Sequence, residues 1–181
     1  MAFSLPLTER NLILTGYIEP NKPRVGRQVA ERLKMRFIDV EAEIEQRIGD
    51  ELETIRNSFG ERRVKAVEDE IMQQVILYRQ AVIRVNGSTL MHSEHLEKML
   101  PNSIVICPVA RLDAILQGLH LTFGARYHDP AERAAALGEL KREWAVRGQP
   151  GVHELDATDL DEPALIHEII AMWQDLAIQR G

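Results

Sequence analysis

Between residues 11 and 27 the chain reads NLILTGYIEPNKPRVGR, and two of these residues are spaced as a phosphate site would need. Gly16 is followed by four residues and then by Asn21 and Lys22. The apolar run Leu12-Ile13-Leu14 precedes them and a helical pattern starts at Arg24, which is the context of the phosphate-binding frame G-x-x-x-x-G-K-[ST]. In such a loop successive backbone N–H groups curl inward onto the phosphates, and glycines supply the backbone angles this requires. Here the second glycine is Asn21, and the hydroxyl residue that would hold magnesium is Pro23. Glu19 puts a negative charge where a polyanion would sit, and Pro20 and Pro23 have no N–H to donate. Pro23 pushes Lys22 toward extended geometry, yet suits the first turn of a helix. The expectation is a loop that keeps its helix and has lost ordinary ATP binding.

Further along, Asp39 ends a short strand pattern and Glu41 follows it. Asp39 has two readings, a magnesium ligand or the N-cap of the next helix. Glu41 either holds the hydroxyls of a polyol or is a first-turn acid. Lys65 with Arg62 and Arg63 either meets a carboxylate or phosphate, or pairs along its helix with Glu61, Glu68 and Asp69. Asn86-Gly87-Ser88 reads either as a turn whose exposed N–H groups bind an anion or as a plain turn. Arg84 lies inside a strand pattern, where a buried guanidinium needs a partner. An acid lining the cleft, Asp39 or Glu19, would supply it and neutralise a magnesium position with an internal cation. His92 and His95 have a spacing open to two metal ligands, but no third is evident, so no metal site is expected. Arg126, Tyr127 and His128 belong either to a lid or to a plain loop.

These residues need a scaffold, and the pattern supplies one. Strands are expected at 11–15, 34–39, 81–85, 103–109 and 152–156. Helices are expected up to Leu33 and over 40–48, 52–59, 61–78, 91–100, 111–119, 130–146 and 162–178, with 120–128 irregular. Such alternation specifies an α/β fold, a three-layer doubly wound sheet of five parallel strands. Ligands then sit at the carboxyl ends of the strands, where 16–22, 39–41, 86–88 and 119–128 converge on one cleft. The 181 residues suit a single domain, with 1–10 as an extension and about 119–130 as a lid-like loop. A net charge of −6 argues against nucleic-acid binding. The one cysteine, Cys107, sits in an apolar run and reads as a core thiol. No stretch approaches the ~20 apolar residues of a membrane span, and MAFSLPLTER lacks the features of a signal peptide. A cytoplasmic protein with no membrane or nucleic-acid partner is expected.

In order and spacing the chain resembles the shikimate kinases, small P-loop kinases that phosphorylate shikimate with MgATP. The stretch from Gly16 through Val25-Gly26-Arg27 is similar to GxMGxGKSTVGR of that family, and Phe37-Ile38-Asp39-Val40-Glu41 to FxDxD. The run Gly60 to Glu68 is similar to GExxFRxxE, and Val82 to Ser88 to VIxxGGG. The resemblance implies ATP and magnesium as cofactors. It implies catalytic roles for Lys22 and Asp39, nucleotide contacts from Gly16 and Lys22, and substrate contacts from Glu41, Lys65, Gly87 and Lys141. Several of these positions depart from the pattern. Glu41 replaces an aspartate, Lys65 and Lys141 stand where the family has arginines, and Gly87 is the one glycine left of GGG. The lid arginine has no clear counterpart, since counting lands near Thr122 while Arg126 is close. Positions that carry the fold persist and positions that carry the chemistry have drifted. The expected function is a shikimate-kinase-like protein without normal ATP-dependent activity, needing no cofactor and kept to bind a small anion or a protein partner. The alternative is an active ATP- and magnesium-dependent kinase for shikimate or a similar polyol acid.

Overall fold

The computed structural model of the chain describes residues 9–16 and 24–179. Five parallel strands form one sheet: β1 (Asn11–Leu14), β2 (Arg36–Asp39), β3 (Ala81–Arg84), β4 (Ser103–Val109) and β5 (Val152–Asp156), in the order β2-β3-β1-β4-β5. The central strands β1, β3 and β4 are almost wholly buried, as strands covered on both faces must be. Side chains alternate between the two faces. Ile13, Ile83 and Val105 point to one side, where α2 (Val40–Ile48), α3 (Leu52–Phe59) and α4 (Glu61–Val75) pack through Ile44, Ile55 and Ile71. Leu12, Val82 and Ile104 point to the other, against α1 (Arg24–Leu33) and α9 (Glu162–Gln179) through Val29, Ile166 and Ile169.

The remaining helices are α5 (Gly87–Met91), α6 (His95–Met99), α7 (Leu112–Phe123) and α8 (Pro130–Glu143). Asp129 caps α8 by accepting the Ala131 N–H, with Pro130 at the first position, and Asp39 likewise caps α2 through the Glu41 N–H. Cys107 is fully buried, and burial pushes its thiol up to about 12. No helix among the described residues is long and apolar enough to cross a membrane.

Three stretches differ from expectation. The helix expected over 91–100 is broken, because Ser93 and Glu94 adopt φ of 51° and 60° and separate α5 from α6. The Asn86-Gly87-Ser88 turn is instead the cap and first turn of α5: the Asn86 side chain accepts the Ser88 N–H. The stretch expected to be irregular from His120 continues α7 to Phe123, where Gly124 stops it, and Gly124–His128 forms a 3-10 turn.

Candidate functional site

Parallel pairing sets the centre of the site. β2 and β3 align so that Asp39 lies directly beside Arg84, and β1 aligns Leu14 on the other side of Arg84. All three are at carboxyl ends, so the guanidinium emerges where a ligand of this fold would lie. Arg84 Nη1 donates to Glu41 Oε2 at 2.9 Å and lies 3.5 Å from Asp39 Oδ1. Its Nη2 donates to Glu143 Oε1 at 3.2 Å. The Asn86 amide donates to Glu41, Glu139 and Glu143 at 3.0–3.2 Å. One cation and one amide thus bind four carboxylates from β2, α2 and α8 together.

The end of α8 also grips the start of the phosphate-loop frame. Glu143 Oε2 accepts the Gly16 N–H at 3.1 Å, and Trp144 Nε1 donates to the Gly16 carbonyl at 2.9 Å. Gly16 has φ +84°, and a Cβ there would stand 2.4 Å from Cys107 Sγ, so no other residue fits. Gly87 permits the same close approach from α5, since a Cβ there would lie 2.1 Å from the Glu143 carbonyl oxygen. These two glycines let the Glu143 backbone and side chain reach the strand ends.

Burial and charge compete within the cluster. Glu143 is 2% exposed, and burial pushes it up to about 8, against the pull of Arg84 and the Gly16 N–H. Burial also raises Asp39, with Arg84 offsetting part of it. At Glu41 burial is more than reversed by the charge and hydrogen bond of Arg84, with help from Asn86, and its carboxyl falls below the usual range. Arg84 is held charged despite its burial by Glu41, Glu143 and Asp39.

Two cavities flank the cluster. One of about 560 Å³ is lined by Glu41, Arg56, Phe123, Glu132, Glu139 and Arg142, among others. Another of about 340 Å³ lies beside Gly16, under α7, and is lined mainly by apolar groups including Ile115, Leu119, Leu140, Trp144 and Leu160. Of the residues singled out from the sequence, Asp39, Glu41, Gly16 and Gly87 meet at the strand ends. Lys65 and Lys141 do not join them: both are exposed, and the cations lining the larger cavity are Arg56 and Arg142. Glu68 and Asp69, expected beside Lys65, turn elsewhere, Glu68 to the Thr89 hydroxyl and Asp69 to His95. Lys22 and Glu19 lie outside the described residues, with the rest of 17–23.

Arg84 thus finds Asp39, as its position in a strand required, and also Glu41 and Glu143. Glu139 and Glu143 were missed by sequence reasoning. Their signal was an i, i+4 acid pair at the end of a helix, in a chain whose third strand carries a cation. Asp39, where the resemblance implies magnesium, and Glu41 beside it both face the Arg84 guanidinium, at 3.5 and 2.9 Å.

Comparison with known proteins agrees with the topology. Residues 21–169 match the family model described as shikimate kinase. Shikimate kinase of Oceanobacillus iheyensis is 30% identical over 142 residues, covering 78% of this chain and 76% of that protein. That of Thermodesulfovibrio yellowstonii is 28% identical over 131 residues, covering 71% and 76%. The solved shikimate kinase of Bacteroides thetaiotaomicron superposes with a TM-score of 0.73 at 18% identity, over 93% of this chain and 98% of that one. The Acinetobacter baumannii structure, a complex with shikimate, gives 0.72 at 18% identity over 97% of each chain. With a family match across most of its length and the same five-stranded parallel sheet, the chain belongs to the shikimate kinase family.

Proposed function

We propose that this member of the family does not carry out ordinary ATP-dependent phosphoryl transfer and uses its cleft to hold a small anionic ligand or a protein partner. One observation carries this reading: the Arg84 guanidinium is fixed among Asp39, Glu41 and Glu143. Phosphoryl transfer needs a metal bridging the phosphates and a base or orienting acid beside the accepting hydroxyl. In this chain the acids at the strand ends are committed to an internal cation. The sequence of the loop points the same way, with Pro23 in place of the magnesium-holding hydroxyl and Pro20 in place of an N–H donor. Arg56, paired with Glu61, and Arg142, paired with Glu139, are the cations that an anion such as shikimate, the molecule bound in the Acinetobacter structure, would meet in the larger cavity. The active-kinase alternative, with Lys22 on the transferred phosphate, Asp39 on magnesium or the hydroxyl, and Glu41 and Lys65 on the substrate, requires Arg84 to leave Asp39.

The test is calorimetric titration of the purified chain with MgADP and then with shikimate, followed by a coupled kinase assay. The expected outcome is no MgADP binding and no turnover. Shikimate binding without nucleotide binding identifies a ligand-holding protein, and binding of neither directs the search to a protein partner. Micromolar MgADP binding or measurable turnover overturns the proposal.

A further inference from the structure

Helix α7 turns one face toward the ends of β4 and β5 and leaves it largely uncovered. Ala114, Ile115, Gly118, Leu119 and Thr122 share a single helical face by their spacing, and all five line the cavity of about 340 Å³ beside Gly16. A face of this kind normally closes onto a core. Here only Leu119 is buried, while Ala114 and Ile115 are half-buried and Gly118 is exposed. Across the cavity stand Leu140, Trp144 and Leu160. Arg147 lies 4.8 Å over the Trp144 ring and holds it in place. Gly118 marks the open space. A Cβ built there meets nothing within 4 Å, and its backbone is not left-handed, so neither packing nor conformation requires glycine inside this helix.

We propose that this cavity binds an uncharged apolar compound of about two fused rings, of the naphthalene or indole class. Among the described residues no charged side chain lines it. The neighbouring cavity shares Leu119 with it and is lined by Glu41, Glu53, Arg56, Glu132, Glu139 and Arg142. Most polar groups at the rim of the apolar cavity are engaged. Trp144 Nε1 donates to the Gly16 carbonyl, and the Gly16 N–H is held by Glu143. The Thr158 hydroxyl donates to Asp156 Oδ1 at 2.6 Å and accepts the Arg111 N–H at 3.0 Å. A charged group entering here loses hydration with no lining cation to offset the cost, which separates this cavity from one suited to phosphates. Size sets the number of rings. An apolar cavity of about 150 Å³ takes one benzene ring. At about 340 Å³ the space is at the small end of ligand sites, which bury most of an apolar molecule and orient it with a few polar groups. Thr122 supplies a hydroxyl for that purpose, and the Trp144 ring an aromatic partner. An occupant resting on Trp144 would also steady Gly16, which Glu143 ties to Arg84.

The experiment is calorimetric titration of the full chain with 2-naphthol, with Tm measured in parallel. Expected is one equivalent bound at micromolar strength and a Tm that rises with the naphthol concentration. Gly118→Leu puts a side chain into the open space and suits a helix interior better than glycine. It weakens binding by about 10-fold or more, while the Tm of the free variant stays level or rises, which shows that the variant is folded. Leu121→Ser is the control, since Leu121 is 76% exposed on α7 and does not line the cavity, and it leaves binding unchanged. The proposal is overturned by absent binding, by binding that Gly118→Leu retains, or by binding that Leu121→Ser removes. It is also overturned if micromolar MgADP displaces the naphthol, because the cavity then takes a nucleotide. MgADP binding that leaves 2-naphthol in place overturns the loss of nucleotide binding proposed for this chain and leaves the ring site standing.

Discussion

The strand-end cluster and the wall formed by α7 and α8 hold similar chemistry in opposite conditions. In the cluster, Arg84 is 17% exposed at its side chain and reaches three carboxylates, while Asn86 and Glu143 are each 2% exposed and wholly engaged. On the wall, Arg126 is 68% exposed and reaches one carboxylate, Glu132, at 3.0 Å. Of the twelve residues of α7 only Leu119 is buried, and Leu121 is 76% exposed. The cluster is bound from four elements and has little room for a second arrangement. The wall has few buried contacts, which is the low-stability condition from which moving elements are drawn. What occupies the cleft must therefore adapt to the strand ends, and the wall adapts to the occupant.

The comparison breaks first at Arg84. Arg84→Ala leaves Asp39, Glu41 and Glu143 facing one another without their cation. Removing one partner of a buried ion pair typically costs about 3–5 kcal/mol, and a loss of that size is expected in urea unfolding. A loss below about 1 kcal/mol would mean that the cluster is no more tightly bound than a surface pair. A pH-dependent effect is expected at Glu143. Burial pushes its folded carboxyl up to about 8, from an ordinary value of 4.5 in the unfolded chain, so the folded chain binds more protons between them. Its contribution to stability is thus complete below about 4.5 and is lost as pH rises toward 8, by at most about 1.4 kcal/mol per pH unit. Glu143→Gln, a neutral stand-in for the protonated carboxyl, removes that slope, so the two proteins part as pH is raised, the parent becoming the less stable. A parent that instead gains on the variant as pH rises would show that the donors Arg84, Asn86 and Gly16 N–H outweigh burial, against the neighbouring acids Glu41, Glu139 and Asp39.

The scaffold was legible where its signals are local. Asp39 and Gly49 bound α2 at both ends, one by capping and the other by a left-handed turn, and β4 is a continuous apolar run. The break between α5 and α6 was not legible, because Ser93 and Glu94 carry no glycine or proline signal for their left-handed backbone. Gly16, Asp39, Glu41 and Gly87 could be placed together from the sequence because each lies at a strand end or within about three residues after one. Glu143 was not, because its contact with Arg84 spans 59 residues of sequence and depends on how α8 is docked. The same docking turns Lys141, two residues before Glu143, outward. Helical spacing gave the relative faces on α8 and α4; it did not say which face meets the sheet.

The smallest effect belongs to the wall. Arg126→Ala breaks an ion pair whose side chains are 68% and 38% exposed. Such pairs contribute about 0–1 kcal/mol, because water screens both charges and two long side chains must be held still. A change below about 1 kcal/mol in the same urea unfolding experiment is expected, several-fold less than for Arg84→Ala. Arg126 also lies 6.0 Å over the Phe123 ring, so its removal uncovers the end of α7 that lines the larger cavity. A loss comparable to that of Arg84→Ala would show that the wall is as firmly built as the strand ends, and that the cleft is rigid on both sides. A loss near zero leaves the ion pair without a stabilising role and places the resistance to rearrangement at Arg84, among the carboxylates of the strand ends.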